Sequence, residues 1–375
     1  MKLNALVDLR KKLHQHAEIA HKEKETSKIV ADFLEEHNPD ELIKYIGGYG
    51  LLAKFKGNKA GKTLLFRAEL DALPIAESNS FNYKSKNELW GHKCGHDGHM
   101  AILCGLSEYL KEKDFPGVFY LLFQPAEETG EGAQKMIADF DFKKLNIDYA
   151  FALHNLPNFE KGQIILKENT FAAASTGVVI HLKGKPSHAS HPQNGINPTM
   201  AAMQINQLLF ELPQMHTALD EAALITPIGT QIGQKAFGTS AAEGSIYATI
   251  RTYNNENLNT LKKLLSTKAE AIAKMHNLGF NIEFVEHFQA VENHTEAYKI
   301  VKNAASKMSY KEVNAVFPWS EDFGHFSSLF PTCFLGLGAG KNLPQLHNED
   351  YDFPDEILED GITIFKNIIE EANNE

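Results

Sequence analysis

Cysteine is scarce in this chain: three residues in 375, at positions 94, 104 and 333. An odd number at irregular spacing rules out a disulfide framework. Positive charge is also short, with 37 Lys and Arg against 48 Asp and Glu and a formal net charge of −11. That balance argues against nucleic-acid binding. No stretch approaches the roughly 20 apolar residues of a membrane span. Met1 to His14 alternates Leu and Val with Lys and Arg, so it reads as an amphipathic helix and lacks the unbroken apolar centre of a secretion signal. Repeats and low-complexity runs are missing as well. What remains is a soluble protein expected in the cytoplasm, with neither nucleic acid nor membrane as partner.

Against this background the segment 92–99, His-Lys-Cys-Gly-His-Asp-Gly-His, stands out. It gathers a thiol, three imidazoles and a carboxylate into eight positions. Thiolate and imidazole together are ligands for zinc and related divalent metals. A zinc finger would need a second Cys-x-x-Cys or His-x-x-x-His pair, and none is present. Further ligands must come from distant segments, as in a catalytic site assembled at strand ends.

Hydrophobic residues make up 43% of the chain, enough for a large core divided between two domains. Leu64–Phe66, Val118–Phe123 and Tyr149–Leu153 are short, β-prone and too apolar to be half-exposed, which suits a sheet covered on both faces. Gly98 to Lys113 has apolar residues at helical spacing, so the polar cluster opens a helix. The stretches 34–60 and 77–92 read as loops bordering the site. From Ala174 to His287 the order becomes β-α-β-β-α-β, a ferredoxin-like unit, after which α/β character resumes. The expected fold is therefore α/β over 1–173 and 288–375, with an α+β domain inserted at 174–287.

Four more segments are out of place as packing. Gln124-Pro125-Ala126-Glu127-Glu128 follows the strongest strand, and adjacent carboxylates there lose hydration and want cations nearby. His154 ends a second buried strand, His347 follows a glycine-rich turn, and Phe66–Pro74 ends a fourth strand in acidic residues that include Asp71. Singly, each has a plain alternative: paired glutamates also occur as solvated surface, and a lone histidine as a hydrogen-bonded core residue. His14, His16, His216 and His276 read as such incidental histidines. The joint order Asp71, Cys94/His96, Glu127/Glu128, His154, His188, His347 is what carries weight.

These residues resemble the M20 metallopeptidase family, in particular its amidohydrolase branch of N-acyl-amino-acid and hippurate-type hydrolases. The likeness runs from Leu13-His14-Gln15-His16-Ala17-Glu18 through Gly184–Ser190 and Trp319–Phe323 to Tyr351-Asp352-Phe353. It implies a zinc-peptidase-like catalytic domain with two divalent ions, probed first as zinc, with manganese, nickel or cobalt as substitutes. Cys94 would be shared between the ions, and His96, Glu128, His154 and His347 would complete their shells. Glu127 would be the general base and Asp71 would orient a ligand histidine. A buried His188 would stabilise the oxyanion, in this family often across a dimer formed by the inserted domain. Asp97 and His99 would support rather than ligate. Relatives carry an Asn-Val-Ile-Pro stretch where this chain has Gly238–Ala241, and Arg251 matches an arginine that either binds substrate or holds structure. The implied reaction is hydrolysis of N-acetyl- or N-benzoyl-type amino acids by a homodimer. Dipeptidase or carboxypeptidase action, and a catalytically silent metal-binding dimer, are the alternatives.

Overall fold

The computed structural model describes residues 3–374. Along the first segment run α1 (Leu3–Gln15), α2 (Lys24–Glu35), β1 (Glu41–Ile46), β2 (Gly50–Lys56), β3 (Lys59–Glu69), α3 (His96–Leu110), β4 (Pro116–Gln124), α4 (Gly132–Asp139), β5 (Tyr149–Pro157), β6 (Ile164–Leu166) and β7 (Asn169–Ala172). There follow β8 (Ala174–Lys183), β9 (Ser187–His188), α5 (Thr199–His216), β10 (Ala223–Ile232), β11 (Thr239–Ser240), β12 (Glu243–Thr252), α6 (Asn255–Met275) and β13 (Gly279–Phe288). The chain ends with β14 (Val291–Asn293), α7 (Thr295–Ala305), β15 (Tyr310–Glu312), β16 (Thr332–Gly340) and α8 (Leu358–Asn374).

Two compact units emerge, one of residues 1–171, 291–316 and 321–375, the other of 172–290 and 317–320. The first is built on an eight-stranded sheet in the order β1-β2-β4-β3-β5-β16-β6-β15. Its centre, β4-β3-β5-β16, is parallel throughout. Strands β4, β5 and β16 are buried along nearly their whole length and β3 over its second half, Leu64–Glu69, as a sheet covered on both faces requires. Parallel strands deliver their carboxyl ends to one edge, and that is where chemistry collects in such folds.

The second unit is an antiparallel sheet in the order β10-β12-β8-β13. Its core packs Val178, Ile180 and Leu182 of β8 with Ile205 and Leu209 of α5 and Leu261 and Leu265 of α6. This is the β-α-β-β-α-β arrangement expected from the sequence. Among the described residues no helix is long and apolar enough to cross a membrane.

One expectation fails. Residues 34–60 are not mainly loop: β1 and β2 form an antiparallel pair there, turned at Gly47 and Gly48 with φ of 61° and 116°. Strand β1 lies at the sheet edge and is largely exposed. A solvated edge strand can carry Glu, Lys and Tyr, and so loses the apolar signature by which strands are recognised.

Candidate metal centre

The site grows from helix α3. Gly95 caps it in the left-handed region, φ 91°, with the Asn155 side chain so close that a Cβ would collide; glycine alone fits there. His96 thus opens the helix, two residues earlier than the apolar spacing suggests. Its Nδ1 lies 2.9 Å from the main-chain oxygen of Asp71. A carbonyl only accepts, so Nδ1 carries a proton and Nε2 is the atom left to offer a lone pair to a cation in the site. His154, on β5 opposite Gly336 of β16, repeats the device: its Nδ1 is 2.9 Å from the Asn155 carbonyl.

Around these lone pairs the other donors converge. Cys94 Sγ is 3.4 Å from His154 Nε2. Glu128 reaches both ways, with Oε1 3.8 Å from His96 Nε2 and Oε2 3.7 Å from His347 Nε2. Glu127 Oε2 lies 3.9 Å from His96 Nε2. Two atoms on one tetrahedral zinc are roughly 3.3–3.8 Å apart, given metal–ligand bonds near 2.0–2.3 Å. Cys94 belongs to two groups of ligand atoms lying within 4.8 Å of one another, one with His96 and His154, the other with Glu128 and His347. All five residues belong to the first unit. His347 is exposed and the rest are buried or nearly so, so the cluster opens to solvent on the His347 side.

The donor set fits a cation. His96 Nε2 and Glu128 Oε1 are both buried without a hydrogen-bond partner, an unfavourable state for polar atoms unless an ion takes up their lone pairs. Burial pushes the Cys94 thiol well up, and the Glu128 and Glu127 charges add to it. Glu128 rises to about 7, chiefly through burial, although His96 pulls it back. Burial, then Glu321, Glu128 and Asp322, drive Glu127 well above the usual carboxylate range. A thiol and two carboxylates that each resist ionisation become stable anions together only beside positive charge.

Two backbone positions at the site are strained. Ala126 (φ 52°) precedes the glutamate pair and His347 (φ 66°) is itself a donor, both in the left-handed region that side chains disfavour. The Ala126 N–H donates to buried Glu23 Oε1 at 2.8 Å, and the His347 N–H to the Lys93 carbonyl at 2.8 Å. Glu23 carries no pattern that marks it in the sequence.

Some placements correct the sequence reading. The Asp71 carboxylate accepts the Glu128 N–H at 3.0 Å through Oδ2, while Oδ1 stands 3.6 Å from His96 Nδ1; it is the Asp71 main chain that orients the histidine. His14 is not incidental. It is fully buried, 2.8 Å from Asp97 Oδ2 and 2.9 Å from Glu77 Oε1. His188, expected to be buried, is exposed on β9 of the second unit. Arg251 donates through Nη1 to the Pro318 carbonyl at 3.2 Å and to Ser320 Oγ at 3.0 Å, both within its own unit. His99 lies with Nδ1 2.7 Å from Glu69 Oε2 and with Nε2 against Asn155, 2.5 Å from its Oδ1 and 3.1 Å from its main-chain nitrogen. Glu69 also pairs with fully buried Arg67, which holds Glu321 and Asp322 too. This knot of three carboxylates on one guanidinium was not apparent in the sequence, because its members lie 255 positions apart at the extreme.

The profile of peptidase family M20/M25/M40 matches residues 65–371, and the chain belongs to that family. It is a metal-dependent hydrolase. Similar proteins include the hippurate hydrolase of Campylobacter jejuni, 30% identical over 93% of this chain and 92% of that one. The N-acetyldiaminopimelate deacetylase of Priestia megaterium is 30% identical over 90% of both. Among solved structures, a dinuclear metal-binding peptidase of the M20 family from Bacillus subtilis superposes with a TM-score of 0.83. It is 26% identical, covering 99% of this chain and 98% of that one.

Proposed function

We propose that the chain hydrolyses N-acyl-L-amino acids, releasing a carboxylate and a free amino acid, with two divalent ions held by Cys94, His96, Glu128, His154 and His347. The observation that carries this is the convergence of those donors on buried atoms that lack partners. The relatives named for hippurate and N-acetyldiaminopimelate hydrolysis support the substrate class. The thiolate favours zinc, nickel or cobalt over magnesium. Three free, buried cysteines suit a reducing cytoplasm.

Glu128 is the ligand of the glutamate pair because it lies within reach of both histidines, His96 and His347. Glu127 is left to move protons. It takes one from the attacking water and delivers it to the leaving amine. Bound divalent metal supplies the Lewis acidity that activates water and polarises the scissile carbonyl. His188 donates a hydrogen bond to the carbonyl oxygen as negative charge develops there, worth about 3–4 kcal/mol in comparable donors. Asp71 keeps Glu128 in place through its N–H.

We further propose that the second unit pairs two copies of the chain. Strand β10 is an open sheet edge with exposed Leu224 and Ile228, and neighbouring α5 exposes Met200, Met203 and Phe210 at helical spacing. Such an edge and stripe are aggregation-prone unless covered.

The test is turnover of a panel of N-acetyl and N-benzoyl amino acids and dipeptides by enzyme stripped with chelator and then reloaded. Metal-restored cleavage of the acyl amino acids is expected. Cleavage of dipeptides alone would shift the reading to a peptidase, and none at all would leave a silent metal-binding protein.

A further inference from the structure

The segment around His188 closes a tight turn. The His191 N–H donates to the His188 carbonyl at 2.8 Å and the Ala189 N–H to the Gly238 carbonyl at 3.0 Å. His188 itself pairs with Thr239 of β11. This turn brings three side chains together. Ser190 Oγ is 2.6 Å from His188 Nδ1 and 2.8 Å from His191 Nδ1. The main-chain N–H of Ser190 also donates to His188 Nδ1, at 3.1 Å.

Proton counting resolves the arrangement. A main-chain N–H can only donate, so His188 Nδ1 must present its lone pair, and the neutral ring carries its proton on Nε2. The Ser190 hydroxyl has one proton, which goes to the same lone pair. Its oxygen then accepts from His191 Nδ1–H. The reverse order would set a His188 Nδ1–H against the Ser190 N–H, two donors facing each other. The amide thus removes the ambiguity that two histidines around one hydroxyl would otherwise have.

We propose that Ser190 and His191 are positioning residues, a relay from His191 Nδ1–H through Ser190 Oγ–H to His188 Nδ1 that holds His188 in its Nε2–H tautomer. This rests on the role proposed above for His188. A donor to a developing oxyanion must have its N–H on the nitrogen that meets the oxygen, already oriented before the reaction. His188 is exposed, and an unrestrained imidazole there exchanges tautomers and flips about χ2. The relay suppresses both. It acts through side chains that neither ligate metal nor supply the base.

The experiment uses zinc-loaded enzyme with nitrogen-15 and carbon-13 in its histidines, the His188 signals being assigned by their loss in His188→Gln. Wild type is expected to show Nε2 protonated and Nδ1 as a hydrogen-bond acceptor. Ser190→Ala should give a mixture of tautomers and a kcat roughly ten-fold lower, as for groups that orient a metal-bound histidine, with KM little changed. Ser190→Thr, which keeps the hydroxyl, should restore both readouts, and His191→Phe should lower kcat in part. A wild-type proton on Nδ1 overturns the relay. So does an unchanged tautomer or an unchanged kcat in Ser190→Ala while His188→Gln is impaired. Full kcat in His188→Gln overturns instead the oxyanion role, and the tautomer spectra then decide the relay separately.

Discussion

Glu127 and Glu128 are neighbours in sequence with different surroundings. Glu128 faces two histidines, whereas Glu127 backs onto the buried charges of Glu321 and Asp322, with Arg67 as a counterweight. Beside bound cations this carboxylate can ionise and take a proton from water, and its burial among other carboxylates favours holding that proton until the amine leaves. Glu127→Gln is therefore expected to lower kcat by about 10²–10⁴-fold while metal content by elemental analysis stays at the wild-type value. Glu128→Gln should instead lose metal. A Glu127→Gln enzyme that turns over normally would place the base elsewhere.

Helix α3 is buried on nearly every side, so the charged residues at its start must be neutralised from within. Asp97 is met by His14 and Arg10 of α1, and Glu77 by His14 and Lys93. Burial pulls His14 down, but its hydrogen bonds and ion pairs with Asp97 and Glu77 outweigh that and raise it to about 9. The folded chain therefore binds this proton more tightly than the unfolded one, whose histidine titrates near 6.5. Its stabilisation is complete below about pH 6.5 and is lost as pH rises through about 9, an effect on the order of 3 kcal/mol. Thermal unfolding followed from pH 6 to 10 should show the midpoint falling across that window. In His14→Asn the whole curve should sit lower and the decline should flatten. An equally steep decline in that variant would assign the titration to another group.

At the level of the assembled molecule, the unpaired edge of β10 and the apolar stripe on α5 define a surface that water covers poorly. Light scattering is expected to report about twice the chain mass of 41.8 kDa. The pair Met203→Glu and Phe210→Glu should convert the protein to monomer without unfolding it, because both side chains are exposed already. A wild-type monomer would overturn the pairing.

The class of fold could be read from the chain, as could the change of texture that marks the second unit and the five residues proposed as donors, which the structure brings together. Their signals are local: apolar bursts, helical spacing, and rare residue types such as Cys94 and His96 packed into a few positions. Strand β1 escaped because an exposed edge has no apolar signature. His14 escaped for the opposite reason, since a single histidine on an amphipathic helix looks alike whether it faces water or a buried carboxylate. Only the packed structure decided that Asp71 holds His96 by its main chain, that Arg67 gathers Glu69, Glu321 and Asp322, and that Ser190 lies between two histidines. Those relations join residues through space, and their energy comes from desolvation and direction of hydrogen bonds, quantities that exist only once the chain has closed around them.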